Sequence, residues 1–379
     1  MAFNISRGYC MLSFSLKTFA ILFFLVAGLL AVPVSSSACT GMRVIAKDGS
    51  VVWARSMEFG NYIDSALMVS PHGLQWTSPA PNGGHGLQWT AKYGFVGPNG
   101  FNLKVPLEGM NEKGLYAGGF WMKEGETKFP DVKPADYPNT VAQTHIIAWL
   151  LTNFATIDEV KAALPKIHVA GVEVEAIHQV VLCHWYVMDA TGKAAVIESI
   201  NGEVTITDNP VGVFTNAPSF EWHLTHLRQF INLRPDNVDS AQIGDYKALS
   251  LGEGTGLLGL PGDFTPPSRF VRAAVFANSV LQPDDADAAV ALGMNLIAGF
   301  AISKGISRGV GGDGKPEYDY TQWTTVYDFA RKAVYVRTYE NQNYKVVHFD
   351  KLPMDGGKNL IIPLGQDYGT YEDVSDQAR

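Results

Sequence analysis

Cys39 stands where a chain would begin. It follows the small residues "SSSA" (35–38) and opens the strand-like run "CTGMRVIA". An N-terminal cysteine carries two reactive groups on one residue. Its thiol is a strong nucleophile as thiolate. Its free α-amine has an ordinary pKa of about 8, so part of it is neutral near pH 7 and can take the thiol proton. Attack on an amide then needs two further things. A cation beside the sulfur favours thiolate, and hydrogen-bond donors must meet the oxyanion of the tetrahedral intermediate.

What precedes Cys39 fits removal. Residues 1–38 contain only two charged side chains, Arg7 and Lys17, followed by an apolar run from Phe19 to Val34 broken by Pro33. Ser36 and Ala38 occupy the small-residue positions before a cut. This is the layout of a secretory signal peptide, and the run is short for a membrane span. The expected organisation is a signal at 1–38 and a single catalytic domain at 39–379, exported to a bacterial periplasm or secreted. No membrane span is expected after processing.

The remaining 341 residues carry 27 basic and 37 acidic groups. An acidic chain with no basic cluster argues against nucleic acid as a partner. Hydrophobic residues make up 46% of the sequence and charged ones 17%, which points to a globular chain with a large core. Only Cys39 and Cys183 remain after residue 38, so no disulfide framework is expected. Cys183 lies in the apolar run "VVLCHWYVMD" and reads as a buried small hydrophobe.

Other motifs do not add chemistry. "GTGLLG" (254–259) has the glycine spacing of a dinucleotide loop, but only a weak strand precedes it and Pro261 obstructs a following helix. His223 and His226 have half-site metal spacing without partners, and read as two helix-face histidines. No metal and no organic cofactor is expected. No Gly-x-Ser-x-Gly elbow is present.

The elements that must hold Cys39 are mostly hairpins. "CTGMRVIA" and "VVWARSM" flank an Asp48–Gly49 turn, and "HWYVMDATGKAAVIESI" and "WTTVYDFARKAVYVRTY" follow the same grammar. The duplicated "HGLQWT" (72–77 and 85–90) predicts a further hairpin. Helical spacing runs through 140–167, with a break near Ala155–Thr156. It recurs in 219–233 after Pro218, with Ser219 as N-cap, and in 268–280 after Pro266–Pro267, with Ser268 as cap. The glycine-rich "RGVGGDGKPEYD" (308–319) predicts a mobile loop. This order suggests an α+β or layered sandwich.

"CTGMRVIAKDGSVVWARSMEFG" resembles the start of the choloylglycine hydrolases, a family of conjugated bile salt hydrolases and penicillin V acylases. "EGMNEKGLYAGG" (108–119), "TNAPSFEWHL" (215–224), "GLPGDFTPPSRFVRAA" (259–274) and "TQWTTVYDFARKAVYVRTYEN" (321–341) fall in that family's order. The resemblance implies a four-layer αββα N-terminal-nucleophile hydrolase sandwich and allows a homotetramer. It makes Cys39 the nucleophile, Arg55 the arginine beside it, and Asn216 the oxyanion-hole asparagine. Arg269 becomes the second active-site arginine, and Glu58 stands where the family has Asp near the amine. Where the family carries Asn or Tyr, this chain has Phe120 followed by Trp121. Phe has neither donor nor acceptor, so a backbone N–H must serve there. Met57, Phe59, Phe120 and Trp121 are candidates for lining an apolar acyl pocket.

The leading reading is an exported cysteine amidase acting on a small-molecule amide with an apolar acyl group. Penicillin V-like amides or N-acyl homoserine lactones lead, with conjugated bile salts as the alternative. A reading of another class is a lipid-anchored binding protein, since bacterial lipoproteins are acylated on a cysteine after the signal; Ser36 stands where that signal expects a Leu-like residue. N-terminal sequencing and intact mass of the exported protein decide between these readings. A free Cys39 terminus is expected. A diacylated Cys39, or a chain that still starts at Met1, contradicts it.

Overall fold

Val, Ile, Tyr and Trp alternate along the predicted hairpins, and in the computed structural model they build two antiparallel sheets. The structure describes residues 38–377 apart from 102, 176–177, 311–313 and 366. Of the proposed signal at 1–38, residues 1–37 therefore lie outside the described residues. Six strands and two helices position the site. The strands are β1 (Thr40–Ile45), β2 (Val51–Phe59), β3 (Glu108–Asn111), β4 (Tyr116–Trp121), β5 (Cys183–Met188) and β6 (Pro316–Asp328). The helices are α1 (Phe220–Leu227) and α2 (Pro266–Ser279).

The first sheet runs Val213–Phe214, β1, β2, β6, Ala333–Thr338 and Lys345–His348. The second runs Glu203–Asp208, Ala194–Ile200, β5, β4, β3, Phe95–Pro98, Ala66–Ser70 and Leu360–Pro363. Helix α2 and Ala286–Ala298 cover the outer face of the first sheet. Ile146–Asn153 and Ile157–Ala163 cover the outer face of the second. The layers are thus αββα. Between the sheets, Trp53 stacks on Tyr186 with ring centroids 4.0 Å apart. Gly41 gives Trp53 its room, because a Cβ there would lie 2.1 Å from the indole.

Strand alternation splits β2 between two environments. Trp53 and Arg55 reach partners on the second sheet, whereas Val52 and Ala54 pack against Gly293 in the helical layer. β1 follows the same rule, since Gly41 pairs with Arg55 and Thr40 with Ser56. Thr40 accordingly meets α2 through Arg269.

The predicted hairpins at 39–57, 184–200 and 323–339 all form. So does the "HGLQWT" hairpin, with Trp76 opposite Trp89. The helical run 140–167 contains a short strand, Thr140–Ala142, and breaks at Thr156, which caps Ile157–Ala163 through a capping box. Two expectations are corrected. Helix α2 starts at Pro266 with Thr265 as N-cap, because proline suits the first turn, and the Ser268 hydroxyl donates to Asp263 instead. The predicted loop at 308–319 is largely strand: Ser307–Val310 pairs with the start of β6, which matches its polar alternation at a sheet edge. Sequence periodicity also missed helix Ala286–Ala298, whose Ala-rich face offers little contrast. "GTGLLG" holds a 3-10 turn, Thr255–Leu257.

Candidate active site

Cys39 immediately precedes β1 and is buried. Its Sγ is 3.6 Å from Arg55 Nη2 and 3.4 Å from Met57 Sδ. Both neighbours come from β2, two residues apart, as one face of a strand requires. The Cys39 nitrogen donates to Asn216 Oδ1 at 2.6 Å. In the full-length chain that nitrogen belongs to the peptide bond after Ala38; a cut at that bond would make it the α-amine. Arg269 Nη1 donates to the Cys39 carbonyl at 2.5 Å and to Thr40 Oγ1 at 2.8 Å.

Asn216 is locked at both ends. Its Oδ1 accepts from Cys39 N and from Arg269 Nη2 at 2.9 Å, which assigns the amide orientation. Its Nδ2 donates to the Trp121 carbonyl at 3.0 Å, leaving the second N–H for another acceptor. The backbone around it is held from behind. His223 Nε2 donates to the Asn216 carbonyl at 2.8 Å, and His184 Nε2 lies 3.0 Å from the Thr215 carbonyl. Burial drives His223 down to about 3, against the pull of that carbonyl, so it is a neutral donor. His223 lies on helix α1, as the sequence reading has it, and its face is the buried one, where it acts as a strut behind Asn216.

Arg55 is completely buried and owes its charge to Glu108. Its Nη1 donates to Glu108 Oε2 at 2.7 Å and its Nη2 to the Gly119 carbonyl at 2.5 Å. Burial works against the guanidinium charge, but Glu108, helped by Tyr116 and Cys39, outweighs it and raises the pKa. Gly118 has to be glycine for this: a Cβ there would lie 2.8 Å from Arg55 Nη1 and 2.4 Å from the Tyr116 hydroxyl. Burial also lowers Arg269, to about 10, against the opposing pull of Glu58 and Cys39.

The structure thus gathers Cys39, Arg55, Met57, Asn216 and Arg269 around one sulfur and one nitrogen. Trp121 joins through its carbonyl. Phe120 is placed differently from the pocket expectation. Its ring is fully buried, with the Arg55 guanidinium 4.1 Å above its face and Phe214 against it at 4.9 Å. It is a floor for the arginine. Phe59 lies farther along β2, edge-on to Phe101 at 5.4 Å. Glu58 accepts from Thr321 Oγ1 at 2.6 Å, while the acceptor at the Cys39 nitrogen is Asn216. Glu108, Gly118 and His223 are the site residues that sequence reasoning missed. Glu108 and Gly118 stood inside a quoted motif without a role, and a signal for Glu108 was available: a lone carboxylate opening an apolar strand.

The family described as "Linear amide C-N hydrolases, choloylglycine hydrolase family" matches residues 39–362. The chain belongs to this family. The choloylglycine hydrolase relatives include a bile salt hydrolase/transferase of Clostridium perfringens, 30% identical over 84% of this chain and 95% of the relative. A penicillin V acylase of Pectobacterium atrosepticum is 28% identical, over 84% of this chain and 83% of its own length. Among solved structures, a mutant conjugated bile acid hydrolase from Clostridium perfringens superposes with a TM-score of 0.76 and 26% identity, covering 88% of this chain and 99% of the other. Penicillin V acylase from Agrobacterium tumefaciens gives a TM-score of 0.68 and 26% identity, covering 86% and 92%. The fold is that of the N-terminal-nucleophile hydrolases, and the enzyme is a hydrolase of linear amides. Among the described residues no helix is long and apolar enough to cross a membrane.

Glu58 is expected to make the stability of this family member depend on pH. Burial raises its carboxyl from 4.5 to about 7, although Arg269, Thr321, Ser56 and Arg55 all pull the other way. The folded chain therefore holds this proton in a window where the unfolded chain has lost it. Its contribution to stability falls as pH rises from about 4.5 to about 7. In Glu58→Gln that part of the slope, at most about 3 kcal/mol across the window, is expected to vanish. Urea midpoints of both proteins between pH 4.5 and 8 measure it. Identical slopes would contradict the assignment.

Proposed function

We propose that this family member is a cysteine amidase that uses Cys39, freed at a new N-terminus, as nucleophile. The observation that carries the reading is the setting of that one residue: Sγ beside the Arg55 guanidinium and N on Asn216 Oδ1. The thiol proton passes to the α-amine, and the sulfur attacks the substrate carbonyl carbon. The remaining Asn216 N–H stabilises the oxyanion, and Arg269 holds both Asn216 and the Cys39 carbonyl in place. The C–N bond then breaks. The departing nitrogen takes the proton from the ammonium and leaves as amine, with the acyl group on Cys39 as a thioester. Water, deprotonated by the same amine, attacks the thioester carbonyl; the C–S bond breaks, the carboxylic acid leaves, and the ammonium returns its proton to the Cys39 sulfur. Every step uses this chain's own groups.

The proposed substrate has an apolar acyl group, which suits Met57, Phe59 and the Trp121 side of β4. A phenoxyacetyl or fatty acyl amide leads, as in penicillin V or an N-acyl homoserine lactone. Conjugated bile salts are the second reading, supported by the near-complete coverage of the Clostridium perfringens relative. Export through residues 1–38 belongs to the same proposal, supported by the apolar run and by Ser36 and Ala38 before Cys39.

One panel tests the function. Penicillin V, an N-acyl homoserine lactone and a glycine-conjugated bile salt are offered to the processed protein and to Cys39→Ser. Release of amine from at least one, abolished in a folded Cys39→Ser, is expected, because a hydroxyl has a far higher pKa than a thiol and the amine is too weak a base to offset it. Turnover that survives the substitution, or none on any of the three, would overturn the reading. The substrate turned over fastest decides between the acyl classes.

A further inference from the structure

Glu108 opens the motif "EGMNEKGLYAGG", and its carboxylate is wholly buried between the sheets. It accepts four hydrogen bonds. Arg55 Nη1 and the Tyr116 hydroxyl donate to Oε2, each at 2.7 Å. Thr325 Oγ1 and the Tyr327 hydroxyl donate to Oε1, at 2.5 and 2.9 Å. Four donors fill the lone-pair sites of a carboxylate. No position in this cage is open to substrate, so Glu108 acts through another residue.

That residue is Arg55. One side of its guanidinium is given to Glu108, and the other reaches the Gly119 carbonyl and the sulfur of Cys39. The cation is thus divided between the Glu108 carboxylate and a thiol that becomes an anion when it reacts. We propose that Glu108 is a positioning residue for amide hydrolysis: it aims Arg55 at Cys39 and competes with the Cys39 thiolate for the arginine's charge. Without that competition the thiolate would rest in a tighter ion pair, and sulfur nucleophilicity falls as thiol pKa falls. The catalytic meaning of this proposal rests on Cys39 being the nucleophile.

The remaining charged groups near Cys39 lie on other elements. Arg269 of α2 contacts the Cys39 carbonyl, and Glu58 of β2 interacts with Arg269. Tyr116 and Tyr327 are pushed well above their ordinary range, by burial first and Glu108 second, so both stay neutral and donate. The Tyr327 hydroxyl partly satisfies Glu108 and so weakens its hold on Arg55.

These relations give opposite signs for two substitutions. The readout is the rate of Cys39 alkylation by iodoacetamide from pH 5 to 10, followed by mass of the Cys39 peptide in the processed protein. Glu108→Gln removes the competing charge while keeping the shape, and more of the Arg55 charge then falls on the sulfur. Its alkylation limb is expected to move about one pH unit lower or more. Tyr327→Phe leaves Glu108 less satisfied, and its limb is expected to move to higher pH. A purely structural Glu108 gives the reverse sign for Glu108→Gln, because a loosened Arg55 stabilises the thiolate less and the limb moves to higher pH. A limb that rises or stays put in a folded Glu108→Gln overturns the proposal. If that variant does not fold, a limb in Tyr327→Phe that falls or stays put overturns it instead. Alkylation needs no amide substrate, so the two ideas fail separately. Predicted limb shifts alongside turnover that survives Cys39→Ser would remove the amidase reading and leave the Glu108–Arg55–Cys39 coupling standing.

Discussion

A guanidinium cannot be buried alone between two apolar sheets. Arg55 is fully enclosed, and an unpaired charge there would cost several kcal/mol. Its placement therefore dictates much of what surrounds it. The Glu108 carboxylate must be satisfied, which fixes Tyr116 on β4 and Thr325 and Tyr327 on β6. Gly118 must lack a side chain, and Phe120 must present a ring face. The arginine ties β2 of one sheet to β3 and β4 of the other, and it also reaches the sulfurs of Cys39 and Met57. The same contacts that make the charge tolerable also aim it.

Strand alternation distributes the rest. Residues on one face of β1 and β2 reach the second sheet, and those on the other reach the helices. The thiol of Cys39 falls on the side of Arg55 and Met57, while its carbonyl and the next residue meet Arg269 from α2. Asn216 joins the two sides, since its Oδ1 accepts both from Arg269 and from the Cys39 nitrogen. His223 and His184 hold the backbone behind Asn216, so the amide has little freedom to reorient. Preorganisation of this kind lowers the cost of forming an oxyanion at the moment of reaction.

The sequence made local features legible. Hairpins close over short turns, and Asp48–Gly49 needs the left-handed conformation that Gly49 adopts at φ 89°. That Cys39, Arg55, Asn216 and Arg269 come together was legible because each sits in a short motif. Glu108 was not, because its meaning depends on Arg55, 53 residues earlier, and Tyr327, 219 residues later, meeting it across two sheets. The supporting role of His223 was not legible because its burial depends on Phe270, 47 residues later, stacked on its ring. Phe120 looked like pocket because an aromatic after two glycines says nothing about which neighbour claims its face. Ser268 looked like a cap because the sequence does not reveal that Pro266 already occupies the first helical turn.

The central claim is that the Cys39 sulfur carries the acyl group during turnover. Acid quenching during rapid turnover of the panel's fastest substrate, followed by peptide mass spectrometry, tests it directly. The account predicts that the peptide beginning at Cys39 gains the mass of the acyl group less one hydrogen, and that the adduct is removed by hydroxylamine, as a thioester is. An unmodified Cys39 peptide under conditions where the quenched enzyme is acylated at another residue would contradict the account.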